Sequence, residues 1–194
     1  LVAGNQTFPL NISRVVTEEA GGWRVVETTK LPIMEAMDSA LVEKGTLALR
    51  SRNVKQGPMV LEVAFKDGKA TGTMTMNGVA KPISVDTGGE VFAEGAGADD
   101  VIATLPLAEG YQVIFRNFDL LKQKVALKQA KVVGAEEIKV PGGSAKAWKV
   151  EITSADGAPG VHTLWVAQDS RKVLKTSATL PEMGGAVISS ELQP

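Results

Sequence analysis

Turn dipeptides set the rhythm of this chain. Asp67-Gly68, Asn77-Gly78 and Asp156-Gly157 are the pairs that two-residue β-hairpin loops favour, because aspartate, asparagine and glycine tolerate positive φ. Glycine pairs at Gly21-Gly22, Gly88-Gly89, Gly142-Gly143 and Gly184-Gly185 add further breaks. The segments between them are short and rich in Val, Thr, Ile and Leu, the composition of strands. Trp23 to Thr29 reads as a strand. Met59 to Phe65 and Lys69 to Met76, joined by Asp67-Gly68, form the clearest hairpin, and Val79 to Asp86 follows after Asn77-Gly78. Later strands are expected at Tyr111 to Phe115, Lys124 to Val133, Ala145 to Thr153, Val161 to Ala167, Val173 to Leu180 and Ala186 to Leu192. Several alternate with period two, as a sheet with one wet face requires.

One segment departs from this rhythm. In Ala98 to Leu107, Asp99 and Asp100 stand where a helix N-terminus prefers acids. Val101, Ile102 and Leu105 then share one face, and Pro106 ends the run. This predicts a short helix. Met34 to Ala40 fits either a second helical turn or a strand. No linker or long repeat divides the chain, so residues 1–194 are read as a single β-rich domain. The expected fold is all-β: a strongly curved antiparallel sheet or half-barrel of about ten strands, with one or two short helices, since a sheet that large must curl, split or close.

Composition excludes several functions. Lys and Arg number 21 against 22 Asp and Glu, a net charge of −1, which removes a bulk basic footprint for nucleic acid. Cysteine is absent, which excludes disulfides, thiol catalysis and Cys-rich metal sites. No stretch approaches the ~20 apolar residues of a transmembrane helix. The chain begins at Leu1 rather than Met, which reads as a processed product or an excised domain.

Five features follow one another between about Asp38 and Leu192: Ala40-Leu41-Val42 through Leu47-Ala48-Leu49-Arg50, the Asp67-Gly68 hairpin, the turn Ala103-Thr104-Leu105-Pro106-Leu107-Ala108-Glu109-Gly110, Val140 to Val150, and Leu164 to Val173, a strand, polar turn and strand. Their order resembles the periplasmic lipoprotein-carrier superfamily, the LolA-like and LolB-like half-barrels, and related uncharacterised periplasmic β-domains. The resemblance implies a periplasmic or otherwise exported protein that holds acyl chains in a concave sheet.

Candidate chemistry is sparse. His162 is the one imidazole, so any Ser-His-Asp triad has to use it, and no G-x-S-x-G elbow is present. It reads as a strand histidine. Asp99-Asp100 reads as a helix N-terminus rather than a metal or acid–base pair. Glu18-Glu19 and Glu136-Glu137 lie beside turns and keep strand ends soluble. Lys122, Lys124 and Lys128 share parity with one another and not with Lys131; they read as a solvated strand face without the interleaved aromatics that single-stranded nucleic acid needs. No catalytic residue, metal or cofactor is expected. Trp148 and Trp165 each stand in an apolar strand, where Trp148 with Val150 and Ile152, and Leu164 with Val166, show the two parities; either tryptophan walls a hydrophobic pocket or packs in the core.

The expected function is a non-enzymatic, extracytoplasmic binding module. It holds an apolar or lipid-like ligand, or docks a partner protein's apolar segment, with Trp148, Trp165, Val101, Ile102 and Leu105 lining the concavity. The alternative is a structural or accessory β-domain attached to a larger hydrolase or envelope assembly.

Overall fold

A computed structural model describes residues 2–3, 6–7, 9, 11–31, 34–120, 122–141, 143–181 and 184–193. Gly142, half of one expected glycine turn, lies outside them. The strands are β1 (Val2–Ala3), β2 (Gln6–Thr7), β3 (Asn11–Glu19), β4 (Gly22–Leu31), β5 (Met34–Glu43), β6 (Leu49–Gln56), β7 (Met59–Lys66), β8 (Lys69–Met76) and β9 (Val79–Asp86). After the helix α1 (Ala98–Ala103) come β10 (Gln112–Asp119), β11 (Lys124–Val140), β12 (Gly143–Ser154), β13 (Val161–Ala167), β14 (Val173–Leu180) and β15 (Ala186–Glu191). The fold is all-β and antiparallel. It holds two sheets, ordered β3-β4-β5-β6-β7-β8-β9 and β10-β11-β12-β13-β14-β15-β1-β2.

The strands outnumber the ten expected. The largest omission is β3, in which every residue is exposed, so no period-two apolar pattern marks it. Met34 to Ala40 belongs to strand β5 and is not a helical turn. Neither sheet closes on itself among the described residues.

Packing divides the chain into two compact units: Leu1–Pro9, Asp99–Phe115 and Leu127–Pro194 form the first, Leu10–Ala98 and Arg116–Ala126 the second. In the second unit, β3 to β9 follow one another as a meander. The turn dipeptides place its hairpins. Asp67 and Gly68 have φ of 50° and 71°, and Asn77 and Gly78 have 50° and 79°, so each turn has two left-handed residues, as type I′ demands. These turns lock the register at Lys66↔Lys69 and Met76↔Val79. In β7 the register sends Leu61, Val63 and Phe65 inward and Glu62, Ala64 and Lys66 outward. The core joins them to Val25, Ala40, Leu49, Ala70, Ile83, Val91, Ala96, Phe118 and Leu120. Phe65 and Phe118 meet edge to face at 5.5 Å. Gly72 in β8 is required by contact, since a Cβ there would lie 1.9 Å from the Glu62 carbonyl oxygen.

In the first unit, β11, β12, β13 and β14 pair in sequence order. A register shift between Val132 and Gly134 breaks the alternation of β11. Residues 99–103 form most of α1, with Asp99 and Asp100 in its first turn and Val101, Ile102 and Ala103 buried.

Candidate functional site

Register decides which expected pocket residues can meet. In the β12–β13 pair, Trp148 lies opposite Val166, Val150 opposite Leu164 and Ile152 opposite His162; Ala147 lies opposite Ala167 and Lys149 opposite Trp165. Directly opposed residues share a face and neighbours along a strand do not. Trp148 and Trp165 therefore project from opposite faces of the sheet and cannot line one pocket.

On the Trp148 face, Val150, Leu164 and Val166 are fully buried, and Ala130 and Val132 of β11 add to the same face. His162 is there too, with its Nε2 3.7 Å from Asp99 Oδ1 at the start of α1. That distance is beyond a hydrogen bond, and the pair gains ionic character only when the imidazole is protonated. Val101 and Ile102 are buried and Leu105 is half-buried, so the apolar side of α1 is packed rather than open.

On the other face, Trp165 packs against a satellite core of Ala147, Ala167 and Leu174. The ammonium groups of Lys149 and Lys175, its cross-strand neighbours, lie over the ring at 5.7 Å and 5.6 Å. Each lysine is held by a carboxylate, Lys149 by Glu136 at 3.6 Å and Lys175 by Glu191 at 3.0 Å. A ligand stacking on Trp165 would have to displace two cation–π contacts. The expected lysine run is likewise divided: Lys122 sits in a turn, 3.3 Å from Asp119, and the strand begins only at Lys124.

The second unit contains a groove that no local motif announces. Its volume is about 600 Å³, within the range of small-molecule sites. Three separated segments build it: Leu49-Arg50 at the start of β6, Ala64 to Lys69 around the β7–β8 turn, and Thr87 to Val91. Non-local backbone hydrogen bonds bring them together, as Leu49 N–H donates to the Val91 carbonyl at 2.9 Å and Thr87 N–H to the Gly68 carbonyl at 2.7 Å. The Thr87 hydroxyl donates to the Gly89 carbonyl at 2.7 Å, which shapes the last segment. Leu49, Phe65 and Val91 are core residues that reach the groove from inside.

The groove's cations differ in what they already hold. Arg50 Nη2 donates to Glu43 Oε2 at 2.5 Å and to Glu90 Oε1 at 3.0 Å. The Glu43 hydrogen bond is the largest influence raising the Arg50 pKa above its ordinary value, and Arg50 in turn lowers that of Glu43, with help from the Thr46 hydroxyl. Arg50 is thus a fixed, neutralised part of the wall. Lys66 and Lys69 face each other across the Asp67-Gly68 turn and form no ion pair with a described residue. Two like charges directly opposite are unfavourable, and an anionic group between them would relieve the repulsion.

Below the sheet's surface a second arginine is wholly structural. Arg52 binds Asp38 through Nε at 3.0 Å and Nη2 at 2.7 Å, and Glu94 through Nη1 at 2.5 Å. Burial works against its charge, but the Asp38 hydrogen bond and the two carboxylates outweigh it and raise the pKa. No group of three or more His, Asp or Glu side chains fit to hold a metal occurs among the described residues.

These features define an all-β antiparallel fold whose open groove is bordered by the β7–β8 turn, with Lys66, Asp67 and Lys69, and by Arg50 and Glu90. The chain belongs to a family described as "Protein of unknown function (DUF3108)", whose model matches residues 1–188. No curated protein matches it.

Proposed function

We propose that the protein is a non-enzymatic, extracytoplasmic binding module that takes an amphiphilic, lipid-like ligand in the groove of the second unit. The observation that carries this reading is the juxtaposition of Leu49, Phe65 and Val91 with Lys66 and Lys69 around one volume of about 600 Å³. The ligand's acidic head lies between the two lysines, and its apolar part lies along the groove past Ala64, above the buried Leu49, Phe65 and Val91. The half-barrel carriers that the strand and turn order resembles hold acyl chains outside the cytoplasm, which supports the same reading. This reading sets the ligand apart from the five residues expected from sequence: Trp148 and Trp165 lie on opposite faces of their sheet, Val101 and Ile102 are buried and Leu105 is half-buried.

Titration with a fluorescent fatty acid tests it. Saturable binding is expected with a Kd on the order of 1–10 μM, about −7 to −8 kcal/mol. Ala64 is exposed on the groove wall. Ala64→Trp fills the groove without touching the core and should weaken binding tenfold or more. Lys66→Glu with Lys69→Glu should weaken the acid but not its neutral methyl ester. Absence of saturable binding would refute the groove as a ligand site and favour an accessory β-domain.

A further inference from the structure

The two edges of the seven-stranded sheet are built differently. Edge strand β9 carries Lys81 and Pro82 in its middle, the residues that blunt an edge by charge and by removal of a backbone donor. Edge strand β3 has neither in its centre. It is nine residues long, exposed throughout, and hydrogen-bonded to β4 alone among the described residues. Val15 is 60% exposed, Val16 54% and Ile12 45%. Its charged side chains turn toward the chain's own neighbours: Arg14 to Glu27 at 2.9 Å, Glu19 to Arg24 at 3.0 Å, and Glu18 to Lys44. The centre, Val15-Val16-Thr17, is free of charge, β-branched and, among the described residues, open along one backbone edge.

The side-chain order along this edge is self-complementary. Arg14 and Glu18 lie two residues either side of Val16 and share its face. An antiparallel pairing about a two-fold axis through Val16 puts Val16 opposite Val16 of the second copy. In that register Arg14 lies opposite Glu18 of the second copy, Glu18 opposite its Arg14, and Val15 opposite its Thr17. Each pair is one that stabilises sheets, and the two-fold adds an opposite charge of the second copy beside Arg14, already held by Glu27, and beside Glu18, already held by Lys44. We infer that β3 is a homodimerisation edge, joining two copies of this chain through an antiparallel β3–β3 ladder.

A single strand pair is at the small end of interfaces, below ~1,200 Å², so the association should be weak, with a Kd on the order of 100 μM. Sedimentation equilibrium of the whole chain up to about 1 mM should show a reversible monomer–dimer equilibrium. Val16→Lys should weaken it tenfold or more while the melting temperature stays within a few degrees of the parent. Arg14→Glu should weaken it similarly, and Arg14→Glu combined with Glu18→Arg should restore it. The double variant leaves like charges facing Glu27 and Lys44 within the chain, so restoration cannot come from repair of the fold. A monomer at about 1 mM, a dimer indifferent to Val16→Lys, or a double variant as weak as the single one would each overturn the inference.

Discussion

Arg52 shows how much of this protein's order hangs on single charged side chains. Its guanidinium satisfies Asp38 on two atoms and Glu94 on a third, with only 13% of the side chain exposed. A Cβ on Gly95 would lie 2.1 Å from its Nε, so the loop before α1 is moulded around it. Arg52→Ala leaves two half-buried carboxylates without their cation and should cost about 3 kcal/mol, a drop of roughly 6–12 °C in Tm by calorimetry. Arg52→Lys should recover only part of that, because an ammonium cannot make the two-point contact. At the surface, Glu19 and Glu43 have their pKa lowered by the hydrogen bonds of Arg24 and Arg50 respectively. A lowered folded-state pKa contributes stability above the ordinary carboxylate value of 4.5 that is lost as pH falls through the folded value. Melting temperature should therefore decline below about pH 4.5, and Glu43→Gln with Glu19→Gln should flatten that decline, as followed by thermal melts between pH 6 and pH 3.

At the scale of elements, glycine separates two kinds of constraint. Gly78 sits at φ +79° in an exposed turn with nothing within 4 Å of its would-be Cβ. Gly78→Ala meets only the intrinsic cost of the left-handed region, about 1–2 kcal/mol. Gly72 has ordinary backbone angles but its would-be Cβ lies 1.9 Å from the Glu62 carbonyl oxygen. Gly72→Ala must push β7 and β8 apart, so it should lower Tm well beyond Gly78→Ala in parallel denaturation curves. Asn77-Gly78 is legible in sequence because the turn's needs are local. Gly72 is not, since what forbids a side chain there is a carbonyl ten residues earlier on the neighbouring strand. The helix belongs with the legible elements: Asp99 and Asp100 at its start mark α1, although it ends at Ala103, before Pro106. Strands β8, β9, β13 and β14 likewise begin and end where the alternation and turns predict.

For the whole molecule, antiparallel sheet dominates, and the one α-helix among the described residues is six residues long. Far-UV circular dichroism should show a β spectrum, with helix far below the roughly one third of an ordinary globular protein. A helical spectrum would contradict the fold. The groove also belongs to this scale. Arg50, Lys66 and Thr87 are separated in the chain and meet only because the β7–β8 turn and the segment after β9 bond to each other and to the start of β6. The two-residue turn at Asp67-Gly68 brings Lys66 and Lys69 opposite each other, but nothing local says that the other two segments meet them.

The all-β class, most hairpins of the later half and the place of the helix are legible in the order of residues alone. Positive-φ turns, period-two alternation and an acidic first turn are short-range effects, and each is written within a few residues. The division into two sheets, the existence of β3 and the choice of side chains that share a face depend on long-range pairing. Trp148 and Trp165 each stand in an apolar strand, and each alone fits a pocket wall. Their relation depended on the register of β12 against β13, where a shift of one residue reverses every side chain. That register is set by long-range pairing, which no window of sequence around either tryptophan contains.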